Sequence, residues 1–196
     1  MPDPLPYLTY ALVMSITPGP NNVMLTASGA RFGLRRTVPH LIGISVGFNL
    51  QLLAVCAGLA VLFSRWPALQ TALSWVGAAY LVVLGWRLLR SDASASAAQQ
   101  ARPLRLHEAA LFQFLNPKAW VMTLTAATLF LPAALPPALQ ALYMVSVMVA
   151  VGLPSMAVWA LFGSWLRSFL AGARARMLFN SSMALALVAT AVLLVR

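Results

Sequence analysis

Acidic side chains are nearly absent from this sequence. Asp3, Asp92 and Glu108 stand against 13 lysines and arginines, and charged residues make up 8% of the chain. Soluble domains carry about 25%, so an ordinary water-facing surface is excluded. The three acids lie near the edges of apolar runs, which leaves no interior carboxylate for a buried proton relay. Cys56 is the single cysteine, so neither an intramolecular disulfide nor a two-cysteine redox relay can form. Within LLAVCAGLAV it reads as a small packing or lipid-facing residue. There is no GxxxxGK[ST] phosphate loop and the longest polar stretch is 90–108, which removes a nucleotide-driven pump and a soluble catalytic domain. No cofactor and no metal are expected. No basic region precedes the first apolar run, so that run is expected to remain as a span and not to be cleaved as a signal.

What is present is apolar. Hydrophobic residues make up 61% of the chain and the mean hydropathy is +0.84, the composition of a polytopic membrane protein. The net charge of +10 does not point to nucleic acid, because the arginines sit at the ends of apolar runs and not on a polar face. The runs predict six transmembrane helices in an all-α integral membrane protein: 5–30, 37–63, 68–89, 109–131, 139–163 and 177–195. Trp66 and Trp75 near one end of the third span, and Trp86 near the other, suit the membrane interface. The alanine-, serine- and glutamine-rich segment inside 90–108 reads as a linker. The chain is thus one transmembrane domain, 1–196, with halves at about 1–90 and 107–196 joined by a linker at 91–106.

Arginine placement orients it. Arg31, Arg35, Arg36, Arg87, Arg90, Arg102, Arg105, Arg167, Arg174 and Arg176 fall on one side, against Arg65 and Arg196 on the other. The first set is expected to be cytoplasmic, which puts both termini outside.

The first span carries SITPGPNN, Ser15 to Asn22. Two prolines around a glycine cannot continue a regular helix, so the helix is expected to break at membrane depth. Irregular backbone is tolerated there only against protein or a water-filled cavity. The fourth span carries FLNPKAW, Phe114 to Trp120. Three spans per half force the second half to enter from the opposite side, so spans one and four correspond in an inverted repeat. Each has an asparagine beside proline near its middle, the pattern of two broken helices meeting at a transport site.

Lys118 is the only basic side chain deep in a span, a costly place for an unpaired ammonium. It either serves the solute pathway or snorkels towards the cytoplasm, since Glu108 is about 15 Å away along a helix. Asn21, Asn22 and Asn116 offer donors and acceptors to a zwitterionic solute, or else tie helices together. Asn49, Gln51 and Asn180 read as packing or interfacial residues, and His40 as a cap or a head-group contact. Gly43 and Gly47 form a GxxxG pair for close helix packing.

In order along the chain, TPGPNN, GARFGLRR, GISVG, GAAYLVVLGWRLLR and FLNPKAW resemble the LysE/RhtB-type amino-acid exporter family (LysE family translocators), over essentially the whole length. The resemblance implies a small bacterial inner-membrane secondary transporter that exports amino acids or related metabolites, with protons as coupling ion. It maps the family's first-helix element onto Pro18, Gly19, Pro20 and Asn21, and its fourth-helix element onto Asn116, Pro117 and Lys118. With Thr17 and Asn22 these form the expected substrate pathway. NSSM at Asn180 to Met183 departs from the family's glycine-containing last span, which bears on helix packing and solute preference. The expected partners are a small-molecule amino acid or related substrate, protons and the lipid bilayer, with a homodimer left open and no nucleic acid. Two other classes compete. One is an accessory or structural membrane subunit. The other is a membrane-embedded lipid-modifying enzyme, whose only adjacent acid–base candidates, His107 and Glu108, do not share a helix face.

Overall fold

The computed structural model describes residues 3–59, 61, 65–90, 102–170 and 172–194. The secondary structure of the described residues is all helical: α1 (Leu5–Ile16), α2 (Pro20–Phe32), α3 (Leu34–Ala54), α4 (Pro67–Arg90), α5 (Leu106–Phe112), α6 (Pro117–Phe130), α7 (Pro137–Leu166) and α8 (Ala173–Leu194). A π-helical turn, Val55–Leu59, extends α3, and 3-10 turns follow α5 (Gln113–Leu115) and α7 (Arg167–Phe169). Most of the sequence-derived linker, 91–101, lies outside the described residues, as does the end of the second span at 62–63.

Among the described residues, four helical stretches are long and apolar enough to cross a membrane: Leu34–Leu59, Thr71–Arg90, Pro137–Phe169 and Ala173–Leu193. The chain is an all-α, multi-pass membrane protein. The first and fourth apolar runs do not qualify as single helices because each is broken. At 12 and 14 residues, α1 and α6 reach only about 18 and 21 Å, short of the ~30 Å hydrocarbon core. The first break occupies Thr17 to Gly19, where the prolines withhold amide donors; the second falls at Asn116, whose extended backbone (φ −91°, ψ 109°) starts α6 at Pro117. Prolines do not always interrupt: Pro39 and Pro154 lie inside α3 and α7.

The outward faces are apolar. Leu12, Val46, Leu129, Leu142, Leu185 and Leu193 are all exposed, as befits side chains whose solvent is lipid. Polar side chains also lie in the interior: Asn22, Thr26, Gln51, Gln113, Asn116, Thr123 and Ser155 are buried.

α7 lies along α1, α2 and α3; α3 also packs on α5, and α4 pairs with α8. Two of these crossings depend on glycine. A Cβ at Gly43 would strike the Leu106 carbonyl and one at Gly47 the Ala110 carbonyl, both on α5. The α2–α7 crossing is reciprocal, since a Cβ at Gly29 would meet the Ala160 carbonyl and one at Gly163 the Thr26 carbonyl. Backbone cannot yield as a flexible side chain can. Gly43→Ala is therefore expected to cost about 1–3 kcal/mol, and thermal unfolding in detergent should fall by several degrees; an unchanged midpoint would show that the crossing can open freely.

Candidate functional site

The two breaks meet. The last turn of α1 leaves carbonyls without helical partners, and each finds a donor elsewhere. The Thr17 hydroxyl bonds the Met14 carbonyl (3.2 Å), the Asn22 amide donates to the Ser15 and Thr17 carbonyls (2.9 Å each), and the Trp159 indole N–H donates to the Ile16 carbonyl (3.1 Å). Lys118 Nζ comes across from α6 and donates to the Thr17 carbonyl and hydroxyl, both at 2.9 Å, and to the Pro18 carbonyl at 3.4 Å. A cation thus sits at the negative end of the α1 dipole. The ammonium faces the other break and does not reach back along its own span towards Glu108, so the snorkelling geometry is not adopted.

Gly19 makes this approach possible. Its backbone is extended (φ −172°), a conformation open to any residue, so the need for glycine is one of space. A Cβ there would stand 2.8 Å from Lys118 Cδ and 3.2 Å from Nζ. Gly19→Ala is expected to push the lysine off Thr17 and slow transport several-fold, with little change in folded protein, measured as initial rate per folded molecule. A normal rate would mean that the ammonium works from elsewhere.

A second link joins Asn21 to Gln113 by a reciprocal amide pair. Asn21 Nδ2 donates to Gln113 Oε1 (2.8 Å) and Gln113 Nε2 donates back to Asn21 Oδ1 (3.2 Å). Asn116 caps α6, its Oδ1 accepting the Lys118 backbone N–H at 3.1 Å.

These groups border a cavity of about 60 Å³, far below the few hundred Å³ of a typical small-molecule pocket, so solute entry requires the helices to part. Gly19, Pro20, Asn21, Asn22, Asn116 and Lys118 all line it. Thr17 and Pro18 stand behind as Lys118's acceptors, and Pro117 opens α6 without reaching the wall. Gly43 and Gly47 are not in the wall either; they hold α3 against α5, which places Ile44, Ser45, Phe48 and Asn49 on it. The remaining wall is largely methionine: Met14, Met122, Met148 and Met156.

Electrostatically the cavity is one-sided. Lys118 is the only titratable side chain among the lining residues, and the N-termini of α2 and α6 add the positive ends of two helix dipoles. The opposing polarity comes from neutral oxygens. Asn49 Nδ2 donates to the Ser45 carbonyl (2.8 Å) while its Oδ1 is buried without a partner among the described residues, an acceptor left over for a bound donor. A cation, two dipole ends and an amide oxygen unbonded among the described residues suit a carboxylate and an ammonium on the same small molecule.

Two of these residues escape a reading of the sequence. Asn49 reads there as packing, and Gln113 draws no attention; its only signal is an amide inside an apolar span three positions before the NPK break. His40 does not serve as the expected cap. It is 2% exposed, with neither ring nitrogen bonded to the described residues.

A family profile described as LysE type translocator matches residues 12–196. Curated relatives include the cysteine/O-acetylserine efflux protein of Klebsiella pneumoniae, 34% identical over 161 residues, and that of Escherichia coli K12, 35% identical over 162; each match covers 80% of this chain and 80% of the relative. The protein of the same description from Shigella flexneri is 35% identical over the same share of both chains. No solved structure matches.

Proposed function

This chain belongs to the LysE type translocator family and is a multi-pass inner-membrane transporter of amino acids and related solutes, from which we propose that it exports small neutral amino acids of the cysteine and O-acetylserine type by secondary transport. The observation that carries this reading is the cavity itself. Lys118 and the half-helix N-termini offer a place for the carboxylate, and Asn49 Oδ1 an acceptor for the ammonium. A cationic side chain would find no counter-charge there, because no acid lines the cavity, which argues against lysine or arginine as solute. The methionine wall suits a short, polarisable side chain. Relatives described as cysteine/O-acetylserine efflux proteins support the same solute class.

The architecture we infer is six spans in two inverted halves, about 1–90 and 107–196, with α1–α2 and α5–α6 as the broken first span of each. The pairing of helices supports it. Exchanging the halves turns the α1–α7 and α2–α7 contacts into α5–α3 and α6–α3, and maps α4–α8 onto itself; all of these contacts occur. The arginine-rich connections are cytoplasmic in this reading and both termini extracytoplasmic. In a Cys56→Ser background, Ala134→Cys should react with an impermeant thiol reagent in intact cells and Gly172→Cys only after permeabilisation. Both positions are exposed, and the reverse labelling would invert the chain.

Export draws on the proton gradient in this reading, and proton movement through the cavity would involve Lys118, its one titratable wall residue. Counterflow in proteoliposomes loaded with cysteine or O-acetylserine is the deciding measurement. Protein-dependent exchange of these solutes, but not of lysine, is expected; absence of exchange by correctly inserted protein removes the proposal.

A further inference from the structure

A second cleft, about 650 Å³ in volume, lies apart from the cavity between the breaks. Its walls come from α2, α3, α4, α8 and the stretch leading into α5. The lining divides in two. Met24, Leu84 and Leu187 make an apolar floor, continuous with a buried cluster containing Leu81 and Phe112. Arg31, Arg87, Arg90 and Arg102 make a cationic rim, and Glu108 is the only acid among the lining residues.

Glu108 does not neutralise the rim. Its carboxylate is engaged by Arg102 through two bonds of 2.6 Å and by the Arg105 backbone N–H at 2.7 Å. These bonds commit the carboxylate to Arg102, so the pair cancels itself, and Arg87 and Arg90 have no carboxylate partner among the described residues. Arg90 stacks over Trp86, 4.4 Å from its ring centroid, and that indole is exposed, an arrangement suited to the head-group level of a bilayer. His40 stands in the wall, buried, with neither ring nitrogen bonded to the described residues; a buried polar group in that state wants a partner.

We propose that this cleft binds an anionic phospholipid, its phosphodiester held by the Arg87 and Arg90 guanidiniums and one acyl chain lying on the Met24–Leu84–Leu187 floor. The two-part lining selects this occupant. A zwitterionic amino acid would bring an ammonium into a field of guanidiniums, and a free inorganic anion would leave the apolar floor unused. An anionic lipid satisfies both parts, and basic pockets between membrane helices are known to take such head groups. A head-group oxygen entering at the wall also supplies the partner that His40 lacks. The occupant would bridge α2 to α4.

The test uses delipidated, full-length protein titrated with phosphatidylglycerol or phosphatidylcholine and read by native mass spectrometry. Phosphatidylglycerol is expected to bind more tightly. Arg87→Gln and Arg90→Gln should each weaken it about fivefold, the factor for one arginine near an anionic surface, and His40→Phe should weaken it less. Arg65→Gln, a charge removed outside the cleft, should leave binding unchanged. Arg87 and Arg90 are exposed, so these variants retain the fold, which a thermal scan in neutral detergent verifies. Equal binding of the two lipids, or an Arg65→Gln loss as large as that of Arg87→Gln, overturns the proposal. Displacement of phosphatidylglycerol by an equal concentration of inorganic phosphate also overturns it, because the site would then read phosphate without lipid.

Discussion

Lys118→Met is expected to cut the initial transport rate at least about tenfold while leaving the amount of folded protein within a factor of two. The ammonium is the only full charge on the cavity wall, and a hydrogen bond to a charged group is worth about 1.5–3 kcal/mol, enough for a tenfold or larger change in rate. The fold tolerates the loss because Lys118 is not the sole partner of what it touches. The Thr17 carbonyl keeps the Asn22 amide and the Thr17 hydroxyl keeps the Met14 carbonyl. Methionine preserves the length and apolar bulk of the stem, so only the charge is removed. Lys118→Arg should be impaired as well. Its planar, larger head is not a substitute for an ammonium, and the approach past Gly19 is already tight. Counterflow rates normalised to folded protein decide the matter, and a Lys118→Met variant that exchanges solute at the normal rate takes the lysine out of the pathway.

Asn21→Leu is expected to damage both stability and transport, for separable reasons. Gln113 is 0% exposed, and without Asn21 its amide keeps only the 3.0 Å bond to the Ala109 carbonyl. An unsatisfied buried amide costs about 1–3 kcal/mol, so thermal stability and membrane abundance should both drop. Gln113→Leu should do the same from the other side. In the double variant both amides are gone, and replacing both partners by apolar groups is nearly neutral, so stability should recover. Transport should not, because Asn21 also lines the cavity and leucine offers a solute no hydrogen bond. A double-mutant cycle with separate stability and rate axes shows this directly. Recovery of transport together with stability would make the pair a structural clasp and remove Asn21 from the solute pathway.

Much of this molecule is legible in one dimension because membranes and prolines act locally. Apolar run length reports α3, α4, α7 and α8 without reference to any neighbour, since the bilayer imposes the same demand on each. The breaks at Thr17–Gly19 and Asn116 follow from residues that lack an amide donor or cap a new helix on the spot. Lys118 stands out for a similar reason: an ammonium in an apolar run is anomalous whatever surrounds it. Pro39 and Pro154 mark the edge of that local rule, because each lies inside a helix that continues past it.

What an ammonium or an amide bonds to is another kind of question. Lys118 and Thr17 are 101 positions apart, and Asn21 and Gln113 are 92 apart; no periodicity within a span says which of its faces will meet which other span. The glycines make the same point. GxxxG announces that α3 packs closely, but only the folded chain shows Gly43 and Gly47 against α5, and Gly29 against Gly163's helix, crossings that between them set which face of α2 and α3 turns to the cavity. Asn49 changes from packing residue to cavity acceptor, and His40 from cap to buried wall, by that same rotation. Composition and local stereochemistry decide that helices exist, cross a membrane and break. Which polar groups then share a cavity depends on close packing between distant segments, where a single carbonyl lying against a glycine sets the register.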